Sequence, residues 1–148
     1  MPTSSFLIDA NIFLELQLEQ SRSAECKEFL SLVSNGKMEA ATTDFILDSI
    51  AVVMEDKKAT PEDIRKFFIS LSLFKGLYIH NLDLRGRIAA AQKMADENLD
   101  FDDSTSIVAM EEMKIKEIVS LDRDFEGVKG ITRVEPREVV SRLQGGRK

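Results

Sequence analysis

Three aspartates stand where a parallel sheet would bring them together. Asp9 directly follows the apolar run Phe6-Leu7-Ile8, and Asp122 directly follows Ile118-Val119-Ser120-Leu121. Asp103 opens a helical segment ahead of that second run, beside Asp100 and Asp102. A fourth acid, Asp48, falls on the helix expected after the second strand. Ligands of open α/β sheets bind outside the carboxyl ends of the strands, so these positions can converge. Oxygen-only donors suit a hard cation: Mg²⁺ takes carboxylates at about 2.0–2.1 Å and keeps several of its waters. Carboxylates crowded that closely repel one another when no cation neutralises them, and their pKa values rise. Aspartate is also a good helix N-cap. Each residue taken singly fits capping as well; the argument for a metal is that several strand ends carry one.

Other chemistries are poorly provided for. The 148 residues include one histidine, His80, and one cysteine, Cys26, so multi-histidine zinc sites, cysteine-rich modules and intramolecular disulfides are excluded. No phosphate loop of the G-x-x-x-x-G-K type is present. A net charge of −6 argues against binding nucleic acid by bulk charge. The lone cysteine and the lack of a leader pattern or long apolar run point to a reducing, cytoplasmic setting with no membrane span. Cys26 reads as buried packing and His80 as structural.

The elements that must position the acids alternate. Phe6–Ile8 reads as a buried strand. Apolar spacing from Asn11 to Val33 is helical and broken near Ser21. Met38 to Thr42 is a second strand, and Phe45, Ile46, Ser49, Ile50, Val53 and Met54 share one helix face. Thr60-Pro61-Glu62-Asp63 is a helix start. Leu77–Ile79 is a third strand, Asp83 caps a helix to about Glu97, and another helix begins near Asp102 or Asp103. Glu117–Leu121 and Ile131–Val134 complete the strands. The fold class is α/β: a single-domain three-layer α/β/α sandwich with a mainly parallel sheet of about five strands. The domain is expected to span residues 1–140, with 141–148 a flexible tail.

The ordered motifs resemble the PIN domain family, the fold of VapC-type toxin ribonucleases. Phe6-Leu7-Ile8-Asp9-Ala10-Asn11-Ile12-Phe13 is similar to its opening strand, Asp, small residue and Asn. Asp102-Asp103-Ser104 resembles its later Asp before a small residue. Ile118-Val119-Ser120-Leu121-Asp122-Arg123-Asp124-Phe125 resembles its strand, hydroxyl residue, spacer, Asp and Phe. The resemblance implies that Asp9, Asp103 and Asp122 bind Mg²⁺ or Mn²⁺ and that Asn11 steadies the first Asp loop. It also implies a hydroxyl residue, Thr42 or Thr43, near the site. The family's second acid, usually Glu, aligns with Ser49, or with Asp48 after a one-residue shift. The implied activity is metal-dependent hydrolysis of RNA phosphodiester bonds by a toxin paired with a small antitoxin protein. The catalytic set would then be Asp9, Asp48, Asp103 and Asp122. Lys57, Lys58, Arg65, Lys66, Arg85, Arg87 and Arg123 are candidates for holding the RNA backbone.

Phe67, Phe68, Leu71, Leu73 and Phe74 offer more apolar surface than one helix face needs, which suggests a partner helix or a homodimer interface. A dehalogenase-like phosphatase would need a second Asp where Asn11 stands. A receiver domain would need an early acidic pair. The rival of a different class is a non-catalytic PIN-like module that binds RNA or protein, favoured by Ser49 where Glu is expected.

Overall fold

The computed structural model describes residues 5–145. Five short strands form one parallel sheet: β1 (Phe6–Ile8), β2 (Ala40–Thr43), β3 (Leu77–His80), β4 (Glu117–Val119) and β5 (Thr132–Val134), in the order β3-β2-β1-β4-β5. The register sets Leu7 against Ala41 on one side and Ile118 on the other. Thr43 pairs with His80, and Val119 with Val134. The connections hold α1 (Ala10–Gln17), α2 (Ser23–Ser34), α3 (Asp44–Asp56), α4 (Pro61–Ser72), α5 (Leu84–Glu97) and α6 (Phe101–Met113), and α7 (Pro136–Gly145) follows β5. α1 packs against α2 and α3, α2 against α7, and α5 against α6. The helices cover both faces of the sheet, the three-layer α/β/α architecture expected from the alternation.

The inner strands β1 and β4 are mostly apolar because both their faces are covered, whereas edge strand β3 leaves Tyr78 and Ile79 partly exposed. All of β2 is buried, and the Thr42 hydroxyl is satisfied by donating to the Ile8 carbonyl at 3.2 Å. Gly76 lets the chain pass tightly into β3: a Cβ there would lie 2.1 Å from the Met38 carbonyl oxygen. α6 lacks an amphipathic stripe because it is buried without interruption from Asp103 to Met110. It starts at Phe101, capped by Asp100, a little earlier than the sequence suggests.

Two expectations change. Phe67 is not surplus apolar surface; it is buried within the chain and meets Phe13 edge-to-face at 6.1 Å. Of that apolar set Leu71 is buried too and Leu73 stays exposed; Leu84 and Ile88 of α5 are exposed as well. Residues 141–145, expected in a tail, are the last part of α7. Pro136 suits the helix start, the Glu138 side chain accepts from the Glu135 N–H at 3.1 Å, and Val139 and Val140 are buried. Arg142 reaches Glu117 of β4 at 3.0 Å. Residues 146–148 lie outside the described residues. Among those described, no helix is long and apolar enough to cross a membrane.

Candidate active site

The chain steps outward from β1 through β2 to β3, then crosses back to β4 on the other side of β1. That reversal opens a crevice at the carboxyl ends of β1 and β4. Asp9 stands in it, its own N–H donating to the Val119 carbonyl at 3.0 Å. Its Oδ1 accepts from the Ala10 N–H at 2.8 Å, so it does cap α1. Its Oδ2 accepts from the Ser120 hydroxyl at 2.7 Å and from Asn11 Nδ2 at 3.2 Å. Burial pushes the Asp9 carboxyl up to about 6; the Ser120 and Ala10 bonds pull it down, and the nearby charges of Asp102 and Asp122 push it up.

Asp103 lies in the first turn of α6 and is buried. Burial first, then the negative charges of Asp100, Asp9, Asp122 and Asp102, raise its carboxyl to about 8. Asp122 follows β4 and caps a one-turn 3-10 helix, Arg123–Phe125, its Oδ1 accepting from the Asp124 N–H at 2.9 Å. That tight turn swings Asp124 back, and the Asp122 charge raises the pKa of its carboxyl. Carboxylate oxygens of Asp103, Asp122 and Asp124 all lie within 4.8 Å of one another. Asp9 borders this group, felt electrostatically by Asp103. The donors are hard oxygens, close together and short of positive charge, which fits Mg²⁺ or Mn²⁺.

The other sequence-chosen residues are placed as follows. Asn11 bridges the two strand ends: Nδ2 donates to Asp9 Oδ2 and to Ser120 Oγ (3.1 Å), and Oδ1 accepts from the Leu121 N–H at 3.1 Å. Thr43 caps α3 by accepting from the Ile46 N–H at 3.0 Å. Ser49 donates to the Ile46 carbonyl at 2.8 Å. Asp48 is exposed and stands outside the acidic group, because Ile46, Leu47, Ile50 and Met54 form the buried stripe of α3. Cys26 is buried, its thiol pushed up to about 12 mainly by burial. His80 Nε2 lies 2.7 Å from Glu112. Of the candidate cations, Arg123 sits within the acidic turn and is exposed, whereas Arg65 pairs with Glu62 and Arg87 with Asp44.

Sequence reasoning overlooked Asp124 and Ser120 as site residues. Asp124 carried a signal: an Asp-x-Asp spacing just past a strand, where one tight turn can align both carboxylates. Ser120 carried another, a small hydroxyl two residues from inward Ile118 on the same strand face.

The model of the PIN domain family matches residues 6–131. No curated protein matches the sequence. Solved structures share the fold at low identity. VapC20 of Mycobacterium tuberculosis, a sarcin–ricin loop cleaving toxin, is 15% identical with a TM-score of 0.70, covering 84% of this chain and 95% of that one. A toxin–antitoxin complex from Klebsiella pneumoniae is 18% identical with a TM-score of 0.65, covering 89% and 98%. A DNA-bound VapBC from Salmonella typhimurium is 15% identical with a TM-score of 0.62, covering 90% and 99%. With a family match over residues 6–131 and the fold shared with these toxins, the chain belongs to the PIN domain family.

Proposed function

We propose that the chain is a metal-dependent endoribonuclease, the cytoplasmic toxin of a VapBC-type toxin–antitoxin pair. The observation that carries this reading is the approach of Asp103, Asp122 and Asp124 to within 4.8 Å beside buried Asp9. Asp9, Asp103 and Asp122 would hold Mg²⁺ or Mn²⁺, with Asp124 taking the place of Asp48. A bound ion supplies an activated water and neutralises charge on the phosphate. The chain's own residues prepare for it: Ser120 and Asn11 orient the Asp9 carboxylate, and Asp122 fixes the turn that presents Asp124. Arg123, exposed between the two acids, offers a cation to the RNA backbone. RNA as substrate and a small antitoxin as partner are supported by the toxin described above as cleaving the sarcin–ricin loop and by the toxin–antitoxin complex. A homodimer completes the proposal, a second copy covering Leu73, Leu84 and Ile88, which are 73%, 78% and 71% exposed.

A second reading, a non-catalytic PIN-like module binding RNA or protein, is favoured by the outward Asp48 and the Ser49 hydroxyl bonded to its own helix. Incubating single-stranded RNA with the protein and Mn²⁺, with and without EDTA, separates the two. Cleavage that EDTA abolishes supports the nuclease; retention of intact RNA supports the module.

A further inference from the structure

Arg133 stands on the edge strand β5 and takes no part in the chemistry above. Its side chain is only 10% exposed. Nη1 donates to the Ser120 carbonyl at 3.0 Å and to Glu135 Oε2 at 3.2 Å. Nε and Nη2 both reach Glu126 Oε1, at 3.3 and 2.9 Å. Glu135 is held in turn by Arg22 Nη2 at 2.7 Å. Two carboxylates therefore fix the guanidinium with one donor aimed at a single backbone carbonyl. Arginine suits this because its planar fork serves several acceptors at once.

That carbonyl belongs to the residue on which the acidic site hangs. Ser120 lies just past β4, where the chain leaves the ladder for the 3-10 turn; its N–H donates to the Val134 carbonyl at 3.1 Å. Its hydroxyl donates to Asp9 Oδ2 and accepts from Asn11 Nδ2 and from the Asp122 N–H, the last at 3.0 Å. Where that hydroxyl points is set by how the Ser120 backbone is held.

We propose that Arg133 is a positioning residue for the acidic site, clamping the Ser120 carbonyl so that the Ser120 hydroxyl orients Asp9, Asn11 and Asp122. Its charge is balanced by Glu126 and Glu135, so it acts through geometry rather than through its field. The consequence for metal binding and RNA cleavage rests on the nuclease reading; the clamp itself does not. Removing a group hydrogen-bonded directly to a metal ligand typically costs about 10–100-fold in affinity; Ser120 is such a group for Asp9, and Arg133 stands one bond behind it.

The experiment compares wild type, Arg133→Met and Arg133→Lys. Removing the guanidinium leaves Glu135 with Arg22 and Glu126 half exposed, so no buried charge is orphaned. In metal-free protein, amide hydrogen exchange is read at Leu121 and Asp122, whose N–H groups donate to Asn11 and Ser120. Leu7 in β1 is the reference. Losing one hydrogen bond's worth of order should speed both site amides by about tenfold in Arg133→Met, with Leu7 unchanged. Mn²⁺ affinity, measured by calorimetry, should fall by roughly threefold to tenfold, at or below the lower end of what a direct partner of a ligand costs. Lys, with one compact ammonium, should recover only part of each effect. Unchanged site amides in Arg133→Met, or full recovery by Lys, overturns the proposal. So does loosened exchange with unaltered Mn²⁺ affinity in a protein that binds Mn²⁺. Wild type that binds no Mn²⁺ while the variant's amides loosen sinks the nuclease reading and leaves the clamp standing.

Discussion

The Ser120 hydroxyl donates to Oδ2 of Asp9 over 2.7 Å, joining residues 111 positions apart in the chain. Ser120 Oγ in turn accepts from Asn11 Nδ2 and from the Asp122 N–H. One buried serine therefore ties the acid after β1 to the acid after β4, and the crevice between these strands is held at its base by side-chain hydrogen bonds.

Replacing that serine by alanine removes a donor from a buried carboxylate. Such a loss costs about 1–3 kcal/mol, which in a domain of this size lowers Tm by roughly 3–10 °C. Circular dichroism melts of Ser120→Ala at neutral pH in EDTA provide the check. A Tm equal to wild type would mean that the bond contributes nothing to holding Asp9.

The raised carboxyls make the metal-free protein sensitive to alkali. Asp103 is pushed to about 8 and Asp9 to about 6, both above an ordinary aspartate. Between about pH 4 and pH 8 the folded state then binds more protons than the unfolded chain, so stability falls as pH rises. Glu135 and Asp63 are shifted downward and act in the opposite sense, but only at the acid end. Urea unfolding in EDTA should give a higher midpoint at pH 5 than at pH 8. Asp103→Asn should flatten the slope. Adding Mn²⁺ at pH 8 should restore the midpoint, because a cation does there what a proton does at pH 5.

Asp124→Asn and Asp48→Asn should behave oppositely. Asp124 belongs to the acidic group, so its neutralisation should weaken Mn²⁺ binding by about tenfold or more. Asp48 is exposed on α3, so its neutralisation should leave affinity within about twofold, as for a surface change far from the ligand. Calorimetric titration of both variants decides it; a larger effect at Asp48 would reinstate it as the missing acid.

Leu84 and Ile88 lie one turn apart on α5 and are both largely exposed. If a second copy covers them, wild type should sediment as a dimer at micromolar concentration, and Leu84→Glu with Ile88→Glu should sediment as a monomer with an unchanged circular dichroism spectrum. A monomeric wild type would rule the dimer out.

The parts of this fold legible in the sequence are those set by local chemistry. Asp9 and Asp122 announce themselves because a short apolar strand ends at or near each, and a parallel sheet delivers both to one edge. Thr60 and Asp83 announce helices because their caps are local; both accept from an N–H three residues on. What stayed hidden depends on distant partners. Phe67 looks like surplus surface until α1 supplies Phe13 to cover it. α7 shows few apolar residues, yet it packs against α2 and buries Val139 and Val140. α6 hides its periodicity because it is buried over most of its length. Asp48 drew attention by its type, yet helical phase, with Ile46 and Ile50 inward, turns it to solvent.

If this acidic crevice holds the divalent ion with which the protein cuts RNA, cleavage must follow occupancy of the crevice. The direct test is the rate of single-stranded RNA cleavage as a function of Mn²⁺ concentration, for wild type and for Asp103→Asn with its fold confirmed by melting. Wild type should show no cleavage in EDTA, and a rate that saturates over the same Mn²⁺ range that raises its Tm. Asp103→Asn should show no rate above background. Cleavage that persists in EDTA, or an Asp103→Asn protein as active as wild type, would contradict the assignment.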